Sequence, residues 1–172
     1  MNEIEKVKTR TVVIPDDLEA VKKLWFDYLV WGNDNMQELY GVHPHNPNEA
    51  VEQDIQQIGK FQPPYGQLIL AIYEGKLCGL GSLKRINSDI GELKRMFVDP
   101  ASRRIGAGRA ILDRLLLEAK KVGYKKFGLT VRSLWKQLIP YTEVLDFVLL
   151  TRIQKWKSPQ NLKTIYCLWN WI

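Results

Sequence analysis

Arg103, Arg104, Ile105, Gly106, Ala107, Gly108 and Arg109 form the run R-R-I-G-A-G-R, whose residue types suit the capture of an anion. Gly106 and Gly108 let the backbone bend sharply and approach a ligand closely. A helix that starts here points the amides of the turn and of its own first turn in one direction, which favours negative charge. Arg103, Arg104 and Arg109 add positive charge. A phosphate is the ligand this spacing predicts. Two better-known phosphate loops do not fit. A Walker A loop needs Gly-Lys-Ser/Thr where Arg109 and Ala110 stand, and a dinucleotide fingerprint needs a third glycine and a later acidic residue within a βαβ unit.

Positioning such a turn takes a strand before it and a helix after it. Leu93, Met96 and Val98 give residues 91–98 the apolar content of a short strand, which Asp99-Pro100 ends. Ile111, Leu112, Leu115, Leu116 and Ala119 then fall at helical spacing, Lys120 and Lys121 suit a last turn, and Gly123 is a stop. Upstream, residues 67–73 and 76–84 read as a hairpin turning at Glu74-Gly75. Gly79 and Gly81 in its second strand predict close packing or a bulge. Residues 7–14 alternate as a first strand. Asp16 is a candidate helix cap, followed by Leu18, Val21, Leu24, Trp25, Tyr28 and Leu29 at helical spacing. A separate short helix is expected over residues 35–39, and a third after residues 46–48, carrying Val51, Ile55 and Ile58. Residues 124–131 predict a further strand.

Bulk properties narrow the function classes. The 172 residues suit one domain of ordinary globular composition, 45% hydrophobic and 26% charged. The apolar runs are too short to cross a membrane, and the charged N-terminus predicts no signal peptide. Cys78 and Cys167 fit a reducing, cytoplasmic setting rather than a disulfide framework. The net charge of +6 raises the prospect of a nucleic-acid partner, but +3 of it lies in the last 40 residues. That tail also holds Trp135, Trp156, Trp169 and Trp171, four of the six tryptophans, so the composition changes near residue 132.

Other chemistry-bearing residues signal less. His43 and His45 are two residues apart, but they sit among prolines with no third ligand nearby, so no metal site is expected. Trp25, Tyr28 and Trp31 read as core or as pocket lining, since a base-stacking platform would want interleaved cations. Cys78, beside a glycine in a strand, reads as a packed thiol.

The order of elements, with E-L-K-R-M-F-V-D-P, then R-R-I-G-A-G-R-A, then a Leu-rich helix ending E-A-K-K-V-G-Y, resembles the GNAT superfamily of acyl-CoA-dependent N-acetyltransferases over roughly residues 5–131. Its signature is Gln or Arg, two residues, Gly, one residue, then Gly or Ala; here that is Arg103 to Gly108. The resemblance implies an α/β (α+β) acyl-CoA N-acyltransferase fold, with a mixed, mostly antiparallel, V-shaped sheet flanked by helices. It implies direct transfer of acetyl from acetyl-CoA, as cosubstrate, to an amine. It places the coenzyme A pyrophosphate on the amides of Arg104 to Arg109, with Arg103 opening the motif. The pantetheine arm falls along Met96, Phe97 and Val98, where an amide would stabilise the oxyanion. It offers Glu92 as the base. The partners expected are coenzyme A and a small-molecule or peptide amine, without nucleic acid or membrane, in a monomer or homodimer.

Past residue 131 the resemblance stops, so that one domain of 172 residues has a family-like part, 1–131, and an atypical tail, 132–172. The family's next helix reads Ala-x-x-x-Tyr-x-x-x-Gly-Phe, with a tyrosine that protonates the departing thiolate. This chain has L-W-K-Q-L-I-P-Y-T-E-V-L-D-F, interrupted by Pro140. Codons for residues 134–147, read one nucleotide earlier, permit Met-Glu-Ala-Ala-His-Ser-Leu-Tyr-Arg-Ser-Phe-Gly-Phe. Codons for residues 168–172 likewise permit Met-Glu-Leu-Asp, a typical last strand. A frameshift between about residues 127 and 134 accounts for both, and for the tryptophan-rich tail. A shifted tail is not selected to pack, so weak activity, poor solubility and an exposed edge beside strand 124–131 are expected. Tyr141 stands near the position of the missing tyrosine in a different context and takes no role. Two readings compete with a working acetyltransferase: a coenzyme-A-binding relic with impaired catalysis, and a basic module that binds nucleic acid or a partner.

Overall fold

The computed structural model describes residues 7–129 and 151–152. Among the described residues six strands form one sheet in the order β1 to β6, each next to its sequence neighbour. They are β1 (Lys8–Thr11), β2 (Gln67–Tyr73), β3 (Lys76–Arg85), β4 (Ile90–Val98), β5 (Lys126–Leu129) and β6 (Thr151–Arg152). The helices are α1 (Leu18–Tyr40), α2 (Pro47–Gln56) and α3 (Ala107–Val122). All neighbouring strands run antiparallel except β4 and β5, which are parallel and joined through α3. A sheet that is mixed but mostly antiparallel is the architecture the sequence implies.

The hairpin forms as expected. Glu74 and Gly75 both take positive φ, +49° and +73°, the backbone that a two-residue turn between twisted strands requires. Strand β2 is buried from Gln67 to Ala71. It feeds both faces of the sheet, with Ile69 and Ala71 toward α3 and Leu68 and Leu70 toward α1. Helix α3 lays Ile111, Leu112, Leu115, Leu116 and Ala119 on the first face, where they meet Leu83, Leu93 and Val98. On the other face Val21, Trp25 and Leu29 of α1 meet Leu80 and Phe97, and Trp25 packs edge-on to Phe61 at 5.8 Å. Each such buried aliphatic side chain contributes about 1.5–3 kcal/mol.

Several local expectations are corrected. The first strand spans Lys8–Thr11 rather than residues 7–14. The residue at the α1 cap is Asp17, not Asp16, and its carboxylate does not cap the helix. It accepts from Arg10 at 2.5 and 2.6 Å and from Val13 N–H at 2.8 Å, which holds its carboxyl down at about 2. Residues 35–39 are the last turns of α1, not a separate helix. Gly32 costs an interior helix only about 1 kcal/mol, and burial of Leu29 and Met36 on either side offsets it. The helix stops at Gly41, at φ +69°. Part of the edge of β5 is covered, where β6 pairs with two of its four residues through Lys126↔Arg152 and Phe127↔Thr151. Among the described residues no helix is long and apolar enough to cross a membrane. The frameshift, Tyr141 and Pro140 lie outside the described residues.

Candidate functional site

The site begins with an irregularity in β4. Leu80 lies opposite Phe97 but Ser82 lies opposite Lys94, so Gly81 alone faces two residues, Arg95 and Met96. The extra residue makes a β-bulge, in which Arg95 takes φ +51°. A bulge inverts the inward–outward alternation of a strand. Leu93 points to the α3 face, and after the bulge so do Met96 and Val98, while Phe97 joins the α1 face. Lys94 and Arg95 thereby fall together on the α1 and α2 side, where Arg95 meets Asp54 of α2. Gly81 makes room for the opposite face. A methyl group there would lie 2.5 Å from Ile111 Cγ2 and 2.9 Å from Leu115 Cδ1.

Past Val98, Asp99 caps a single 3₁₀ turn, accepting Ala101 N–H at 2.9 Å. The predicted anion turn follows. Arg104 takes φ +68° and Gly106 φ +88°, and a side chain at Gly106 would face open space. Ile105 tucks against the α3 core. Ala110 N–H makes the first helical bond, to Gly106 O at 3.0 Å. The amides of Ala107 and Gly108 precede that bond and have no acceptor within the helix, and no side chain among the described residues caps this end. The three arginines separate in role. Arg103 lies over the Trp31 ring at 4.6 Å and donates from Nε to Val98 O at 3.4 Å. Arg109 pairs with Asp113 at 2.7 Å. Arg104 is exposed beside the turn.

On the α1 side of β3 and β4 lies a group of charges that the sequence did not reveal. Glu92 is buried, 8% exposed at its side chain, and bonds Lys84 Nζ through Oε2 at 2.8 Å. The register sets this pair, since Lys84 and Glu92 are cross-strand partners. Asp54 and Arg95 meet at 2.5 Å, both nearly buried. Their contact lacks hydrogen-bond alignment, and Arg95 Nε has no partner among the described residues. Burial pushes the Lys94 ammonium below its usual range, with nearby Glu92 opposing and Lys84, Arg95 and Lys60 reinforcing the shift. Beyond these charges stands an aromatic wall in which Phe97 contacts Tyr28 at 6.0 Å and Trp31 at 6.3 Å. The only sequence signal for this arrangement is Gly81, which marks the bulge without saying which side chains it redirects.

Asn33 Nδ2 donates to the backbone oxygen of His45 at 2.7 Å, and no group of metal-binding side chains occurs among the described residues. Burial pushes the Cys78 thiol up, away from nucleophilic use. A depression lined by Asn87, Ser88, Asp89, Ile90, Lys125 and Lys126 lies at the far end of β4 from the turn.

Comparison with known proteins places this geometry. The model of the Acetyltransferase (GNAT) family matches residues 24–147, a span that opens inside α1 and runs past Val131. Over 71 residues the chain is 38% identical to the amino-acid acetyltransferase of Mycobacterium tuberculosis, a stretch that is 41% of this chain and 41% of that protein. Among solved structures it is similar to a GNAT-family acetyltransferase of Staphylococcus aureus, with a TM-score of 0.55 and 18% identity over 77% of each chain. It is also similar to the PaiA N-acetyltransferase of Thermoplasma acidophilum, solved in complex with coenzyme A. That TM-score is 0.56, with 18% identity over 77% of this chain and 86% of that one. At such identities the structural likeness speaks for the fold.

Proposed function

The chain belongs to the Acetyltransferase (GNAT) family, and from that premise we propose that it is an N-acetyltransferase, moving an acetyl group from acetyl-CoA to an amine by direct attack. The observation that carries this reading is the uncapped start of α3 behind the open Gly106 turn, set just after the bulged strand β4. These groups fit the cosubstrate. The amides of Ala107 and Gly108, within the stretch Arg103, Arg104, Ile105, Gly106 and Arg109, would hold its pyrophosphate. The backbone of Met96, Phe97 and Val98 would align its pantetheine arm.

The cosubstrate supplies an activated acyl thioester. The chain's own residues do the rest. An amide of the 96–98 segment would stabilise the negative charge that develops on the carbonyl oxygen. An amine attacks only as the free base, so its proton must be taken up. Glu92 is the base we assign, held in place by Lys84 on the face that carries the aromatic wall.

Calorimetry with coenzyme A, and a thiol-release assay with acetyl-CoA across amines, test the reading. Saturable binding and amine-dependent release are the expected results, and failure to bind coenzyme A ends it. Binding without release would favour a second reading, a coenzyme-A-binding protein with impaired catalysis, which the changed composition of residues 132–172, with four of the six tryptophans, supports.

A further inference from the structure

The face that carries Glu92 holds more positive charge than the described residues neutralise. Lys60, Lys84, Lys94 and Arg95 interact there with Asp54 and Glu92, four cations against two carboxylates among the described residues. Both carboxylates are committed, Glu92 to Lys84 at 2.8 Å and Asp54 to Arg95 at 2.5 Å. Lys94 is partly buried, and its ammonium has no hydrogen-bond or ion-pair partner among the described residues. A poorly solvated cation without a counter-ion is unfavourable. The buried Arg95 Nε is a second donor left unmatched on the same side of the strand. The bulge is what creates this. With regular alternation Arg95 would point into the apolar α3 face, and Lys94 would stand alone.

We propose that Lys94 and Arg95 form the acceptor-recognition site, and that the acceptor is an amine carrying a carboxylate, held by Lys94 Nζ and Arg95 Nε. The proposal rests on the acetyltransferase reading and names its substrate class. A carboxylate supplies the missing counter-charge and matches two donors with its two oxygens. The same excess of positive charge disfavours an ammonium nearby, so it also raises the share of acceptor present as the free amine. Tyr28, Trp31 and Phe97 offer an apolar wall for the remainder of the molecule.

The test uses the full chain and matched triplets of amines: an α-amino acid, its primary amide and its decarboxylated amine, taken for alanine, glutamate and phenylalanine. The expected kcat/KM for at least one acid exceeds that for its amide and its amine by about tenfold or more, since a site built for a polar group rejects analogues that lack it. Lys94→Met is expected to bring this ratio close to one, mainly through KM for the acid, and Lys94→Arg to restore most of it. Equal use of all three forms, or an equal loss on all three in Lys94→Met, overturns the proposal. A slow chain still gives an answer, because binding of the N-acetylated acid and of its amide can be compared by calorimetry with coenzyme A present. The acid is expected to bind about tenfold tighter, and equal binding to the coenzyme-A-loaded chain overturns the acceptor class alone. Failure to bind coenzyme A brings down the acetyltransferase reading, and this proposal with it.

Discussion

Strands β3 and β4 present two different surfaces. Toward α3 they offer Gly79, Gly81, Leu83, Leu93 and Val98, and the helix closes on them with Ile111 and Leu115, which are fully buried. Toward α1 and α2 the same strands offer Leu80 and Phe97 at one end and Lys84, Glu92, Lys94 and Arg95 at the other. The first surface spends its apolar area on stability, fixing α3 and therefore the Gly106 turn at its start. The second leaves charge next to an aromatic wall, which adds little to stability but can select a ligand. One inserted residue, Arg95, separates the two roles by reversing the alternation midway along β4. On the proposed reading, holding the cosubstrate and choosing the acceptor fall to opposite faces of one sheet.

The largest expected effect concerns the chain beyond both faces. Sequencing the gene through codons 125–140 is expected to reveal the alternative frame. A chain that continues in that frame should turn over amines far faster than the present one. Full turnover by the 172-residue chain, or a stop codon in the shifted frame, would remove the frameshift account. Next comes the charged face. Glu92→Gln is expected to lower kcat by about 10²–10⁴ if Glu92 takes the amine proton, and a loss below about threefold denies it that role. On the α3 face, Gly81→Val should destabilise the fold by about 1–3 kcal/mol, because the added methyls collide with Ile111 and Leu115. Urea unfolding measures this, and an unchanged midpoint would show that α3 is not packed as tightly as the contact distances require.

The smallest effect lies away from both faces and serves as their control. Asp17 titrates at about 2 in the folded protein, below its ordinary value of 3.8. The stability it adds is therefore present above about pH 4 and is lost as pH falls toward 2. Because Arg10 is 43% exposed at its side chain, solvent screening reduces that contribution to about 1 kcal/mol. Acid unfolding should shift accordingly in Asp17→Asn, while coenzyme A binding stays as it is. A pH profile unchanged by the substitution would deny the Arg10–Asp17 pair this contribution.

Much of this was legible in the chain. The hairpin at Glu74-Gly75, the apolar spacing of α3 and the glycine turn at its start are local patterns, and local patterns fix elements. Gly79 and Gly81 even announced the close approach and the bulge. Misreadings arose where a local cue was outweighed. Residues 35–39 read as a separate short helix, but burial of Leu29 and Met36 on either side of Gly32 keeps α1 continuous. Asp16 looked like a cap, but the neighbouring Asp17 holds the cap position and is bound to Arg10 instead.

By itself, then, the sequence determined most of the elements, their order, the family and the glycine turn, because each rests on residues close together in the chain. Only the tertiary structure decided that Lys84 faces Glu92, that Asp54 reaches Arg95, that Arg103 leaves the turn for Trp31, and that Lys94 has no hydrogen-bond or ion-pair partner among the described residues. Those facts depend on cross-strand register and on helices whose residues lie 41 (Asp54 to Arg95) and 72 (Trp31 to Arg103) positions away in the chain. A one-residue bulge sends a side chain to the opposite face while leaving the composition unchanged.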